Sequence, residues 1–113
     1  MINISIYQNE QDEYTGFRME GHAGYAERGQ DIVCAAVSVL VINTINSIES
    51  MTEDRFEDFV REENGEIDFR IISSPISDSA ELLLRSLVLG LQGILSEYGN
   101  KYLKIRFVRK QEV

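Results

Sequence analysis

The chain has 113 residues, 43% of them hydrophobic, and a formal net charge of −8 at a sequence pI of about 4.6. That length predicts a single domain over residues 1–113, with enough apolar material for a core that needs no metal or disulfide staples. The acidic balance excludes direct nucleic-acid binding, which needs a basic face, and serves solubility or the attraction of a basic partner.

One cysteine cannot close an internal disulfide, so a reducing, cytoplasmic location is expected. The opening Met1-Ile2-Asn3-Ile4-Ser5-Ile6 alternates apolar and polar residues without a basic leader, so no secretory signal is predicted. The longest apolar run, Ile32 to Ile42, is interrupted by Ser38 and is short for a bilayer, so no membrane partner is expected.

In chain order, Ile2, Ile4 and Ile6 predict a half-buried strand, and Asn9 to Glu13 a polar turn. Thr15, Phe17 and Met19 predict a second strand that forms an antiparallel hairpin with the first. Asp31 is placed to cap a helix from Ile32 to about Ser50, apolar nearly all round and so buried on more than one side. Arg55 to Glu63 and Glu66 to Ser73 predict a second hairpin about a two-residue Asn64-Gly65 turn. Its first strand alternates poorly around Phe56, Phe59 and Val60, which predicts a bulge, and Pro75 ends its second strand.

Asp78 and Glu81 have the spacing of a capping box for a helix from Ser79 to Tyr98, closed by Gly99. Gly90 and Gly93 weaken that helix, which predicts that both serve close packing against the first helix. Leu103, Ile105 and Phe107 form a last strand. The order β-β-α-β-β-α-β predicts an α+β two-layer sandwich, a mostly antiparallel sheet with two long helices on one face. The surplus apolar surface of the helices is either a broad core or a homodimer interface.

The one histidine and the one cysteine lie at the two rims of a single loop. His22 follows the second strand, and Cys34 stands in the first turn of the first helix. A thiol beside an imidazole is the smallest set of parts for nucleophilic catalysis. With Asp31 as N-cap, the sulfur leans back toward the helix N-terminus, where the first-turn amides favour the thiolate and can receive an oxyanion. The Asp31 carboxylate opposes that effect, so its value lies in the cap or in orienting His22. Ser38, one turn on, can donate to the sulfur or to the histidine, or bond the Cys34 carbonyl instead. Glu27-Arg28 reads as a solvated pair, and Phe17, Met19 and Tyr25 as pocket or core. One Cys and one His fall short of a zinc site, and no metal or cofactor is expected.

Gly21-His22-Ala23-Gly24-Tyr25-Ala26, followed by Gly29-Gln30-Asp31-Ile32-Val33-Cys34-Ala35-Ala36-Val37-Ser38, resembles the motif of the ribosomal-processing cysteine protease family, Prp. Gln30 stands where Glu is more usual in that motif. The resemblance implies that Cys34 is the nucleophile and His22 the base, in a homodimer with a mobile loop between them. The implied substrate is the N-terminal extension of large-subunit ribosomal protein L twenty-seven, cut after a short motif containing aromatic residues. Two other functions fit the bare residues: a non-catalytic ribosome-assembly or peptide-binding module, and a single-cysteine thiol redox enzyme resolved by an external thiol.

Overall fold

The computed structural model describes residues 1–27 and 31–109. Its elements are β1 Ile2–Gln8, β2 Tyr14–Glu20, α1 Ile32–Met51, β3 Phe56–Arg61, a 3-10 turn Glu62–Asn64, β4 Glu66–Ile71, α2 Asp78–Tyr98 and β5 Leu103–Arg109. The order of elements is the one the alternation and caps predict. The strands lie in one sheet in the order β3-β4-β2-β1-β5. The ladders β1–β2, β2–β4 and β3–β4 are antiparallel, while β1–β5 is parallel. Parallel pairing requires a crossover, and α2 supplies it between β4 and β5.

Period-two alternation sends Ile2, Ile4, Ile6, Phe17, Met19, Phe69 and Leu103 to one face, where all are buried in a single cluster. Register sets Phe17 opposite Phe69, and their rings stack at 5.4 Å between centroids. Both helices cover this face. α1 contributes Val33, Val37, Val41, Thr44 and Ile48, and α2 contributes Ala80, Leu84, Leu87, Val88 and Leu91. The fold is therefore the expected two-layer α+β sandwich, with the helices on one side.

Several local expectations are corrected. α1 is buried along one stripe rather than on several sides, and Ile32, Val39 and Ile42 are exposed. Apolar composition exceeded what one sheet and one neighbouring helix can cover. By length and composition α1 (mean hydropathy 1.8) and α2 (1.2) are each long and apolar enough to cross a membrane. The apolar character of α1 continues past Ile42 through Ile45 and Ile48, so the run Ile32 to Ile42 understated it.

β3 runs in continuous register against β4 without a bulge. It is an edge strand with Glu57 to Arg61 all exposed, so no buried face imposes alternation on it. The irregularity lies instead between Tyr7 and Gln8 of β1. The β3–β4 turn is longer than Asn64-Gly65: Glu62 to Asn64 form the 3-10 turn, and Gly65 alone takes the left-handed conformation, at φ +60°. β4 ends at Ile71, before Pro75.

The cap of α2 is Ser77, whose hydroxyl accepts from the Ala80 N–H, rather than Asp78. Asp54 takes both the N–H and the hydroxyl of Ser77 at 2.9 and 2.5 Å. Glu81 reaches elsewhere, accepting the Tyr14 N–H and pairing with Arg85. Gly90 does meet α1, since a Cβ there would lie 2.9 Å from Leu40 Cδ1, but nothing lies within 4 Å of a Cβ at Gly93.

Candidate active site

The first turn of α1 is organised by Asp31, which is extended at φ −80°, ψ 99° and buried. Its Oδ1 accepts the N–H groups of Val33 and Cys34, each at 3.0 Å. Its Oδ2 accepts the Tyr25 N–H at 3.1 Å, tying the loop to the helix start. Four donors are left open at every helix N-terminus, and here Asp31 closes two of them. Burial pushes the Asp31 carboxyl up, but the bonds from Cys34, Tyr25 and Val33 outweigh it and hold its pKa below the usual aspartate value. Asp31 is thus a cap and a loop tether; no hydrogen bond joins it to His22 among the described residues.

Cys34 is half-buried one turn into α1, and its Sγ accepts the Ala23 N–H at 3.1 Å. The thiol pKa is raised. Burial is the largest cause, opposed by the Ala23 N–H, reinforced by the Asp31 carboxylate, and opposed again by the N-terminal ammonium. The expectation of a thiolate favoured by the helix N-terminus is therefore corrected. The Asp31 carboxylate occupies the Val33 and Cys34 amides that were to act on sulfur or oxyanion, and its own charge opposes a second negative charge nearby.

His22 arrives from the end of β2. Gly21 turns the chain at φ +92°, and a Cβ there would meet the Met1 carbonyl oxygen at 2.4 Å. The Gly21 N–H bonds the Asn64 carbonyl at 3.0 Å, and the Met1 amino group donates to the His22 carbonyl. The His22 side chain is exposed, and its ring makes no hydrogen bond among the described residues.

Two hollows meet at these residues. One, of about 260 Å³, runs between α1 and the β3–β4 hairpin; Met19, Ile42, Val60 and Ile67 are among its apolar walls, and Glu62 and Glu66 among its polar ones. The other, of about 420 Å³, lies under the loop beside Gly24, Ala26, Asp31 and Ala35. His22, Cys34 and Ser38 line both. Ser38 forms neither of its expected hydrogen bonds among the described residues, so it is a wall residue here. A chain laid across the seam would have a pocket on either side of the thiol, which suits cleavage in the middle of a peptide better than removal of single end residues.

Of Phe17, Met19 and Tyr25, Met19 lines the first of these two hollows. Phe17 is core, and Tyr25 sets its ring edge-on to Tyr98 and Tyr102, at 5.6 and 5.1 Å, fastening the loop to the end of α2 and the start of β5. Glu27 is exposed, while Arg28, Gly29 and Gln30, and with them the pairing of Glu27 with Arg28 and the departure at Gln30, lie outside the described residues. Sequence reasoning missed the hairpin wall of Val60, Glu62, Gly65, Glu66 and Ile67. Asn64-Gly65 signalled a turn there, but nothing local brings it to His22.

The model of the family cysteine protease Prp matches residues 1–104. The ribosomal processing cysteine protease Prp of Staphylococcus aureus strain Mu50 is 31% identical over 107 residues, covering 95% of this chain and 99% of that protein. The protein of the same description from Bacillus subtilis strain 168 is 30% identical over 103 residues, covering 87% and 90%. Among solved structures, the ribosomal processing protease Prp of S. aureus, crystallised with a covalently linked product peptide, superposes with a TM-score of 0.89 at 30% identity, over 96% of this chain and 100% of that one.

Proposed function

This chain belongs to the cysteine protease Prp family, and we propose that it is the endopeptidase that removes the N-terminal extension of large-subunit ribosomal protein L twenty-seven, with Cys34 as nucleophile and His22 as base. The observation that carries the reading is the meeting of Cys34 and His22 in both hollows, with a backbone N–H already 3.1 Å from the sulfur. The peptide linked covalently in the S. aureus relative supports acyl transfer as the reaction type.

The raised thiol pKa points to a general-base step rather than a standing ion pair. His22 takes the Sγ proton as the sulfur attacks the scissile carbonyl carbon, whose π electrons move to oxygen. The Ala23 N–H, which lies at the sulfur, is the donor we assign to that oxyanion, in place of the amides that Asp31 occupies. Collapse breaks the C–N bond, and His22 returns its proton to the leaving amine. Water then attacks the thioester, giving up a proton through His22; the acid leaves, and the Cys34 thiol is restored.

The apolar walls suit the aromatic side chains that the family resemblance implies, and the −8 charge suits a basic ribosomal protein. The same reading places the protein in the cytoplasm, with neither nucleic acid nor membrane as its direct partner. It also makes the protein a homodimer, for which the exposed Val39, Ile42, Leu82 and Leu89 provide apolar helix surface; sedimentation equilibrium should give twice the chain mass.

The test is cleavage of a peptide spanning the N-terminal extension, followed by mass. One discrete cut by the wild type, lost in His22→Ala and Cys34→Ala, is the expected result. No cut by the wild type, with the peptide bound equally by all three proteins, overturns the reading.

A further inference from the structure

We propose that the β3–β4 turn is the positioning element of His22, and that Gly65 is its positioning residue. The inference rests on His22 acting as the base of Cys34, and it concerns how an imidazole without a hydrogen-bonded orienter is held in place.

The two parts are more than forty residues apart in sequence, yet they are locked together. The Gly21 N–H bonds the Asn64 carbonyl at 3.0 Å. A Cβ on Gly65 would stand 2.6 Å from the Gly21 carbonyl oxygen and 3.2 Å from His22 Cε1. The first contact is with backbone, so it cannot be relieved by turning a side chain. Gly21 is itself crowded by the start of the chain, since a Cβ there would meet the Met1 carbonyl oxygen at 2.4 Å. The start of β2's exit loop is clamped between β1 and the turn. Any atom added at Gly65 must push the Gly21–His22 segment, and with it the ring.

Among the described residues no hydrogen bond orients the ring, so the clamp is what bears on its position. In most nucleophile–base pairs a third group holds the imidazole by a hydrogen bond. Here Asp31 is spent on the Val33, Cys34 and Tyr25 amides, and Ser38 makes no bond to the ring among the described residues. Packing on Gly65 takes the orienter's place. The same turn supplies Glu62 and the hairpin supplies Glu66 to the hollow that holds Cys34, so the piece that seats the base also walls the substrate groove.

The experiment compares Gly65→Ala with Gly99→Ala. Gly99 also has positive φ, +86°, but nothing lies within 4 Å of a Cβ there, so it carries the backbone strain without the push. Both variants should lose thermal stability, Gly99→Ala through its backbone alone, since its ψ of 174° lies outside the left-handed region that Gly65 occupies. Only Gly65→Ala should lose kcat, by about 10- to 100-fold with KM changing less, as expected for a base moved by a fraction of an ångström to an ångström. Alkylation of Cys34 by iodoacetamide at neutral pH should slow to the rate of His22→Ala. Gly65→Asn carries the same Cβ on a residue that enters the left-handed region more readily, and it serves if the alanine variant does not fold.

Equal kcat and equal alkylation in the Gly65 and Gly99 variants would overturn the proposal. A wild type that binds but fails to cut the ribosomal peptide would overturn the proposed function, while alkylation would still report on His22 and so on the clamp. Alkylation unaffected by His22→Ala would sink both the base assignment and the clamp.

Discussion

Asp31 has two opposed effects on Cys34. Its carboxylate satisfies the Val33 and Cys34 amides and so starts the helix that carries the thiol, while its charge adds to the burial that raises the thiol pKa. Asp31→Asn keeps an acceptor and removes the charge, so Cys34 should be alkylated faster near neutral pH, read by mass against time. Asp31→Ala removes the cap as well, and should lower stability by about 1 kcal/mol, within the usual 0.5–2 for lost caps, in urea unfolding. The pH dependence follows from the direction of the shift. The folded pKa of Asp31 lies below its unfolded value, so the stabilisation is present above about pH 4 and is lost as pH falls through the folded value. Asp54 is held low in the same sense, because its bonds from Ser77 outweigh burial. Acid titration of Tm should therefore show a fall below about pH 4 that is shallower in Asp31→Ala.

The elements differ in how far local rules explain them. The two glycines of α2 look alike in sequence, but one faces Leu40 and the other faces open space. Gly93→Ala should therefore stabilise the protein by up to about 1 kcal/mol, the ordinary helix-interior difference, measured as a higher urea midpoint. Gly90→Ala should gain less or lose, because Leu40 must shift to admit the methyl. β3 shows the converse. It lacks alternation because it is an edge strand with an exposed run, and its value to the protein lies in its turn, which reaches His22.

The whole molecule holds its core between one sheet face and two helices, and Leu91 is fully buried there. Leu91→Ala should cost about 3 kcal/mol, within 2–5 for such truncations, and lower Tm by well over 10 °C. At the same scale the net charge of −8 should act on encounter with substrate. KM for a cleavable peptide with lysines added at its ends should rise several-fold between about 50 and 500 mM salt, while that for its neutral counterpart should stay nearly constant.

Much of this was legible in the chain itself. Alternating isoleucines, the Asp31 cap and Gly99 locate strands and helix ends because side-chain period and capping are local properties. The stretch from Gly21 to Ser38 carries both candidate site residues and the likeness to the Prp family. Only the tertiary structure decided the rest. Which side of α1 is covered depends on strand order, and strand order depends on pairings between residues far apart. Whether the Cys34 thiol is lowered or raised depends on how far the fold buries the sulfur, and then on the Ala23 N–H and the Asp31 carboxylate that it brings to it. The groove wall at Val60 to Ile67, and the Gly65 contact beneath His22, exist because the β2–β4 ladder brings a distant hairpin beside the end of β2. No local pattern encodes that proximity, because it is a property of the packed sheet.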